Sequence, residues 1–187
     1  LPPRLVSEVL ENSQVSLYNP YGPAEVTINS HAYKCTKEDG EMVRVPIGDA
    51  LPNTAGIILD RSASLVPIGV SGELYLGGPK VARGYVQAPV LTGSLFRGVT
   101  SAHNVGRLYK TGDRVRWLSD GNLEFLGRVD FQIKVNGQRV ETGEIEAVLR
   151  QAEGVRDALV VVQQAAAESS RLVGYVVPES VEQASAQ

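Results

Sequence analysis

The stretch Gly127–Glu146, GRVDFQIKVNGQRVETGEIE, constrains the fold of this chain more than any other. An apolar strand runs into a charged elbow at Arg128 and Asp130. Beyond it the pattern reads as a strand, a turn at Asn136-Gly137, a second strand and an acidic helix start. Such a segment predicts a joint between two structural units, with the boundary near Asp130, beside an anionic ligand. Its charges need solvent or a counter-ion, so they do not suit a core.

The residues on either side of the joint differ in character. Upstream, Leu5, Val6, Val9 and Leu10 recur at helical spacing behind Pro2-Pro3, predicting a short amphipathic helix. Val15–Tyr18 reads as a strand. Asn19-Pro20-Tyr21-Gly22-Pro23 follows as an irregular turn, because two prolines and a glycine oppose regular structure. Glu73–Leu76 is a compact strand between glycines, and Val115–Leu118 and Leu123–Leu126 flank the hairpin signal Ser119-Asp120-Gly121-Asn122. Many short strands with turn residues between them predict a barrel-like antiparallel unit with Trp117 in its core. Downstream, Ile133–Val135, Arg139–Val140, Val155–Val162 and Leu172–Val177 read as strands. Thr142–Gln151 reads as a helix with Thr142 as N-cap, and Glu141, Glu144 and Glu146 as a solvated start. The polar tail 179–187 is expected to fray. The fold class is therefore mixed α/β and β-rich: a distorted antiparallel β-barrel subdomain over 1–129, then a partial small α+β unit over 130–187.

Composition narrows the function. With 187 residues, 43% apolar and 21% charged, the chain is ordinary globular protein. A net charge of −3 and no basic stripe give no footprint for nucleic acid. No apolar run reaches bilayer length, so no membrane partner is expected. The single cysteine, Cys35, has no internal disulfide partner, and the expected location is cytoplasmic. His31 and His103 show no metal spacing and read as ordinary polar or packing residues. The first residue is Leu1, so the chain reads as a portion of something longer.

Three segments could carry chemistry. In Asn19–Glu25, NPYGPAE, Tyr21 on a stiff turn offers an aromatic face on which a nucleotide base gains about 1–3 kcal/mol. Glu25 could hold a hard cation such as Mg²⁺, or simply face solvent. Gly72–Tyr85 has glycines but no Gly-Lys-Ser/Thr, so it reads as a structural strand and corner. In Tyr109-Lys110-Thr111-Gly112-Asp113, a carboxylate at a strand end after glycine suits two vicinal hydroxyls. Lys-Thr-Gly also occurs in penicillin-recognising serine enzymes, but no Ser-x-x-Lys exists here. Arg128 adds a planar donor fork suited to ribose or phosphate oxygens.

In order along the chain, these motifs resemble those of adenylate-forming enzymes, in the variant found in the adenylation domains of nonribosomal peptide synthetases. Asn19–Glu25 is similar to N-x-Y-G-P-T-E, with Ala24 in place of threonine and its phosphate-contacting hydroxyl. Gly72–Tyr85 is similar to G-E-L-x-x-x-G-x-x-V-A-R-G-Y, and Tyr109–Asp113 to Y-R-T-G-D. Gly127–Glu146 resembles the hinge, and Gln132 with Gln138-Arg139 favours the amino-acid-activating branch.

The resemblance implies ATP or AMP, with Mg²⁺, as ligands. Asn19, Tyr21, Gly22, Ala24, Asp113 and Arg128 would contact the nucleotide: Tyr21 would stack on adenine, and Asp113 would bind ribose. Glu25 would help hold the metal, Asp130 would be the hinge pivot, and Pro20, Ile28 and Asn29 would line part of the substrate side-chain pocket. Lys134 and Gly137 would approach the acyl-adenylate or the phosphopantetheine arm of a partner carrier domain. The expected partners are an amino acid, a peptidyl carrier domain and other synthetase domains. The family's phosphate loop and the lid lysine of its N-G-K sequence have no counterpart in the chain. Isolated, the chain is therefore expected to be inactive. Two alternatives stand beside this reading: an acyl-CoA ligase fragment, and a non-catalytic module binding nucleotide or a protein partner.

Overall fold

A computed structural model describes residues 1–98, 106–129, 132–135, 138–164 and 170–179. Asp130, Gly137, His103 and the tail 180–187, for which expectations were stated, lie outside the described residues. The side chain of Lys134 does too, although its backbone is described. The chain forms two compact units, Leu1–Val129 and Asp130–Gln187.

The first unit opens with α1 (Pro3–Asn12), whose Pro3 sits in the first turn, where no backbone donor is needed. Only Val6 and Leu10, one turn apart, are buried; Leu5 stays exposed, so the apolar stripe is narrower than the sequence pattern suggests. Val6 and Leu10 pack with Cys35 and Val45 in a satellite core. Each such burial contributes about 1.5–3 kcal/mol. Next come β1 (Tyr18–Tyr21), β2 (His31–Lys34) and β3 (Asp49–Ala50), an antiparallel sheet in that order. The first strand thus lies later than expected, and it includes Pro20. Proline is accommodated because β1 is an edge strand with a side that needs no donor.

The larger sheet comprises β4 (Ala55–Leu59), β5 (Gly72–Gly77), β6 (Phe96–Gly98), β7 (Arg107–Trp117) and β8 (Leu123–Arg128), with α2 (Pro89–Leu95) before β6. Its order is β4-β5-β7-β6, with β8 also pairing β7. The 11-residue β7 therefore pairs with β6 near its start and with β8 near its end, while β5 runs along its other side. β5 is buried on both faces: Leu74 and Leu76 join the main core, and Tyr75 packs with Ile57 and Leu108 opposite. The main core gathers Val26, Ile47, Ile58, Phe96, Tyr109, Val115 and Leu123 around them, with Trp117 only partly buried at its margin. The sheet is antiparallel and branched at β7, and among the described residues no strand pairing joins β4 to β6 or β8. A bridge from Gly48 to Leu123 links it to the β3 region.

The second unit holds a hairpin of β9 (Gln132–Val135) and β10 (Gln138–Glu141), then α3 (Thr142–Leu149) and the paired strands β11 (Val155–Gln164) and β12 (Ser170–Pro178). Ala158 and Val160 of β11 are buried. Glu146 is not merely solvated, as the acidic helix start suggested: its carboxylate accepts the Val160 N–H at 2.9 Å, tying α3 to β11. The unit is α+β, and both units are built from antiparallel sheets, consistent with the mixed, β-rich class read from the sequence.

Candidate functional site

Tyr21, Asp113 and Arg128 converge although they lie far apart in sequence. The Tyr21 hydroxyl donates to Asp113 Oδ2 at 2.5 Å, and Arg128 Nη1 donates to Asp113 Oδ1 at 2.8 Å. Asp113 and Arg128 face each other directly across β7 and β8, which makes them a cross-strand ion pair. Both side chains are largely buried, so solvent screens the pair less than at a surface. Burial, and then the Asp113 charge, push the Tyr21 phenol well above its ordinary range, so it remains a neutral donor. Its ring stands 6.1 Å from His31 and 6.5 Å from Phe125. The result is an aromatic ring and an arginine both hydrogen-bonded to one carboxylate.

Asp113 does not sit at a strand end. It lies within β7, in a bulge where Glu73 of β5 faces Arg114 and Tyr75 faces Lys110. Gly112, at φ 73°, turns the chain in the left-handed region. The sequence signalled a carboxylate after a glycine but not the bulge, because the bulge depends on register with a distant strand.

The remaining residues of the tyrosine motif divide into two groups. Asn19 is buried, and its amide donates to the Pro46 carbonyl at 2.7 Å, clamping the edge strand to the next loop. Gly22 is half-buried, Ala24 exposed and Glu25 buried in a short 3₁₀ turn, Ala24–Val26. Pro20, Ile28 and Asn29 are exposed. Thr27 and Ile28 take consecutive left-handed conformations, φ 56° and 69°. For a β-branched residue this is a strained geometry, of the kind that collects at functional loops.

Glu25 does not face solvent. Its Oε1 accepts the Tyr85 hydroxyl at 2.6 Å, and its carbonyl accepts the Ala82 N–H at 2.8 Å. The Gly72–Tyr85 segment, read from the sequence as a largely structural strand and corner, also supplies Tyr85 as the partner of the proposed metal-holding carboxylate. The only sequence signal was a tyrosine closing a tight corner, which does not name its partner. Among the described residues no group of three or more His, Cys, Asp or Glu could hold a metal ion. The single carboxylate suits Mg²⁺ only in the mode where substrate phosphates and water supply the other oxygens. A separate groove of about 620 Å³ is lined by Arg83, Tyr85, Phe96 and Arg107 among others, and by none of Tyr21, Asp113 or Arg128.

Behind the site, His31 is fully buried, with Ser30 Oγ 3.0 Å from its Nδ1. Burial lowers its pKa to about 4, so it is neutral near pH 7. It is a packing residue beneath Tyr21, as the absence of metal spacing suggested. Lys134 stands opposite Arg139 in the β9–β10 hairpin.

Residues 1–86 match the family described as AMP-binding enzyme. Tyrocidine synthase 3 of Brevibacillus parabrevis is 41% identical over 179 residues, covering 96% of this chain and 3% of that protein. A solved nonribosomal peptide synthetase protein containing adenylation and PCP domains superposes with TM-score 0.81 at 30% identity, covering 91% of this chain and 34% of its own. A four-domain nonribosomal peptide synthetase, solved bound to AMP and glycine, is 41% identical with TM-score 0.64, covering 97% of this chain and 13% of its own. The chain thus spans a small part of the relatives it matches. Residues 1–86 belong to the AMP-binding enzyme family, and across most of its length the chain is similar to the adenylation domains of nonribosomal peptide synthetases.

Proposed function

We propose that this chain is the C-terminal portion of an amino-acid-adenylating enzyme. In the complete enzyme, a carboxylate oxygen of the amino acid bonds to the α-phosphorus of ATP, and pyrophosphate leaves. The thiol of a carrier-domain phosphopantetheine then attacks the acyl carbon, and AMP leaves as the thioester forms. Such chemistry depends on holding reactants in line and on cations that offset phosphate charge. In this chain, Tyr21 offers the adenine its ring, Asp113 accepts from the two ribose hydroxyls, and Arg128 orients that carboxylate. Asn19, Gly22 and Ala24 shape the loop around the nucleotide. Glu25, held by Tyr85, would supply one oxygen to Mg²⁺, which would offset phosphate charge when bound. Pro20, Ile28 and Asn29 form part of the amino-acid pocket. Residues 130–187 form the hinge and part of the lid: Asp130 is the pivot, and Lys134 and Gly137 lie on the pantetheine side.

The observation that carries this reading is the convergence of Tyr21 and Arg128 on the Asp113 carboxylate, at 2.5 and 2.8 Å. An aromatic face, a diol-sized acceptor and a planar cation are what a nucleoside monophosphate requires. Calorimetry with AMP tests it. Wild type should bind, Tyr21→Ala should weaken binding by the roughly 1–3 kcal/mol of a lost base stack, and Asp113→Ala should weaken it further. Absence of heat with any adenine nucleotide would refute the reading. The 187-residue chain, lacking a counterpart of the phosphate loop and the N-G-K lysine, should catalyse no amino-acid-dependent pyrophosphate exchange.

A further inference from the structure

The bulge that carries Asp113 depends on one buried hydroxyl. Three residues of β7, Thr111, Gly112 and Asp113, lie opposite the single residue Leu74 of β5, so the regular ladder is interrupted there. The Thr111 hydroxyl fills the break. Its Oγ1 donates to the Leu74 carbonyl at 2.7 Å and accepts the Asp113 N–H at 3.0 Å. Thr111 is 4% exposed and Asp113 7%, so neither polar group has ready access to water. On either side, the Gly112 N–H reaches Glu73 Oε1 at 3.1 Å, and the Gly112 carbonyl accepts the Val129 N–H at 2.9 Å. The Asp113 backbone is thereby bonded through a side chain where a strand residue would ordinarily bond through main chain.

We propose that Thr111 is a positioning residue for ribonucleotide selection: its hydroxyl fixes the bulge so that the Asp113 carboxylate is aimed at the vicinal hydroxyls of a ribose. This rests on the nucleotide reading above and deepens it, because it assigns the preference for ribose over deoxyribose to the bulge. A carboxylate that grips a diol needs both oxygens set in one plane relative to the sugar. A carboxylate on a loosened bulge would still carry its charge but would lose that geometry. Thr111→Val keeps the volume and β-branching but can neither donate to Leu74 nor accept from Asp113, which leaves a buried carbonyl and N–H to find other partners. Thr111→Ser keeps both bonds.

The test is calorimetric titration of the 187-residue chain with AMP and with 2′-deoxy-AMP. A hydrogen bond to a charged group is worth about tenfold or more in affinity, so wild type should prefer AMP by about that factor. Thr111→Ser should retain the preference. Thr111→Val should bring it close to unity while affinity for 2′-deoxy-AMP changes little, which a merely destabilised fold would not do. Thr111→Ala, where water can enter, serves as the second variant should the valine protein not fold, and its preference should fall between the two. The proposal is overturned if Thr111→Val or Thr111→Ala keeps the wild-type preference or loses both nucleotides in proportion. If wild type itself shows no preference, the ribose role of Asp113 fails, and the proposal fails with it.

Discussion

His31 makes the stability of the first unit depend on pH in a window that its environment sets. The imidazole is fully buried beneath Tyr21, and burial lowers its pKa from 6.5 to about 4, opposed by the Asp49 charge. Because the folded pKa lies below the unfolded one, the unfolded chain takes up the proton first as pH falls. The contribution of neutral His31 is therefore fully present above pH 6.5 and is lost progressively between 6.5 and about 4. At about 1.4 kcal/mol per pH unit, that window corresponds to about 3 kcal/mol, a large share of the stability of an ordinary domain. Urea unfolding followed by Trp117, the single tryptophan, measures it. Carboxylates also titrate in this range, so the decisive quantity is the difference between wild type and His31→Gln. The variant should be less stable at pH 7 yet lose less on acidification, so the two proteins should converge toward pH 4. Parallel pH profiles would refute the argument and show that His31 gains a proton as readily in the fold as outside it.

Other substitutions test the packing around the site. Gly48 and Gly121 share φ 86°, but a Cβ at Gly48 would lie 2.0 Å from the Ala32 carbonyl oxygen, whereas nothing lies within 4 Å at Gly121. Gly121→Ala should cost about 1 kcal/mol and Gly48→Ala at least about 2 more; equal unfolding midpoints would count against the close approach. Tyr85→Phe removes the donor to buried Glu25 and should destabilise the first unit by about 1–3 kcal/mol, read from the same urea curves. The same variant should also change the Mg²⁺ dependence of nucleotide binding, measured by calorimetry with and without Mg²⁺.

What could be read from the sequence was largely local. The β7–β8 hairpin follows from Ser119-Asp120-Gly121-Asn122, where Asp120 accepts the Asn122 N–H and Gly121 takes the left-handed turn. α1 follows from the spacing of its apolar residues behind a proline. Features that depend on a distant strand were not legible. Proline in Asn19–Pro23 argued for an irregular turn, yet β1 is an edge strand, and only the sheet order reveals that. The bulge at Thr111–Asp113 comes from register with β5, and the Tyr85–Glu25 contact joins residues 60 apart. Glu146 looked like one more solvated acid until β11 placed a backbone N–H against it. The motif wording pointed to Tyr21, Asp113 and Arg128; their hydrogen bonds to one another come from the strands that carry them.

Backbone amide spectra locate the nucleotide residue by residue. In backbone amide spectra of the 187-residue chain, titrated with AMP, the largest shifts should fall on Tyr21–Glu25, Thr111–Asp113 and Arg128. Asp113→Ala should abolish them at the same AMP concentration. Shifts confined to the Arg83–Arg107 groove, or none at millimolar AMP, would contradict the assignment of the nucleotide to the Tyr21–Asp113–Arg128 site.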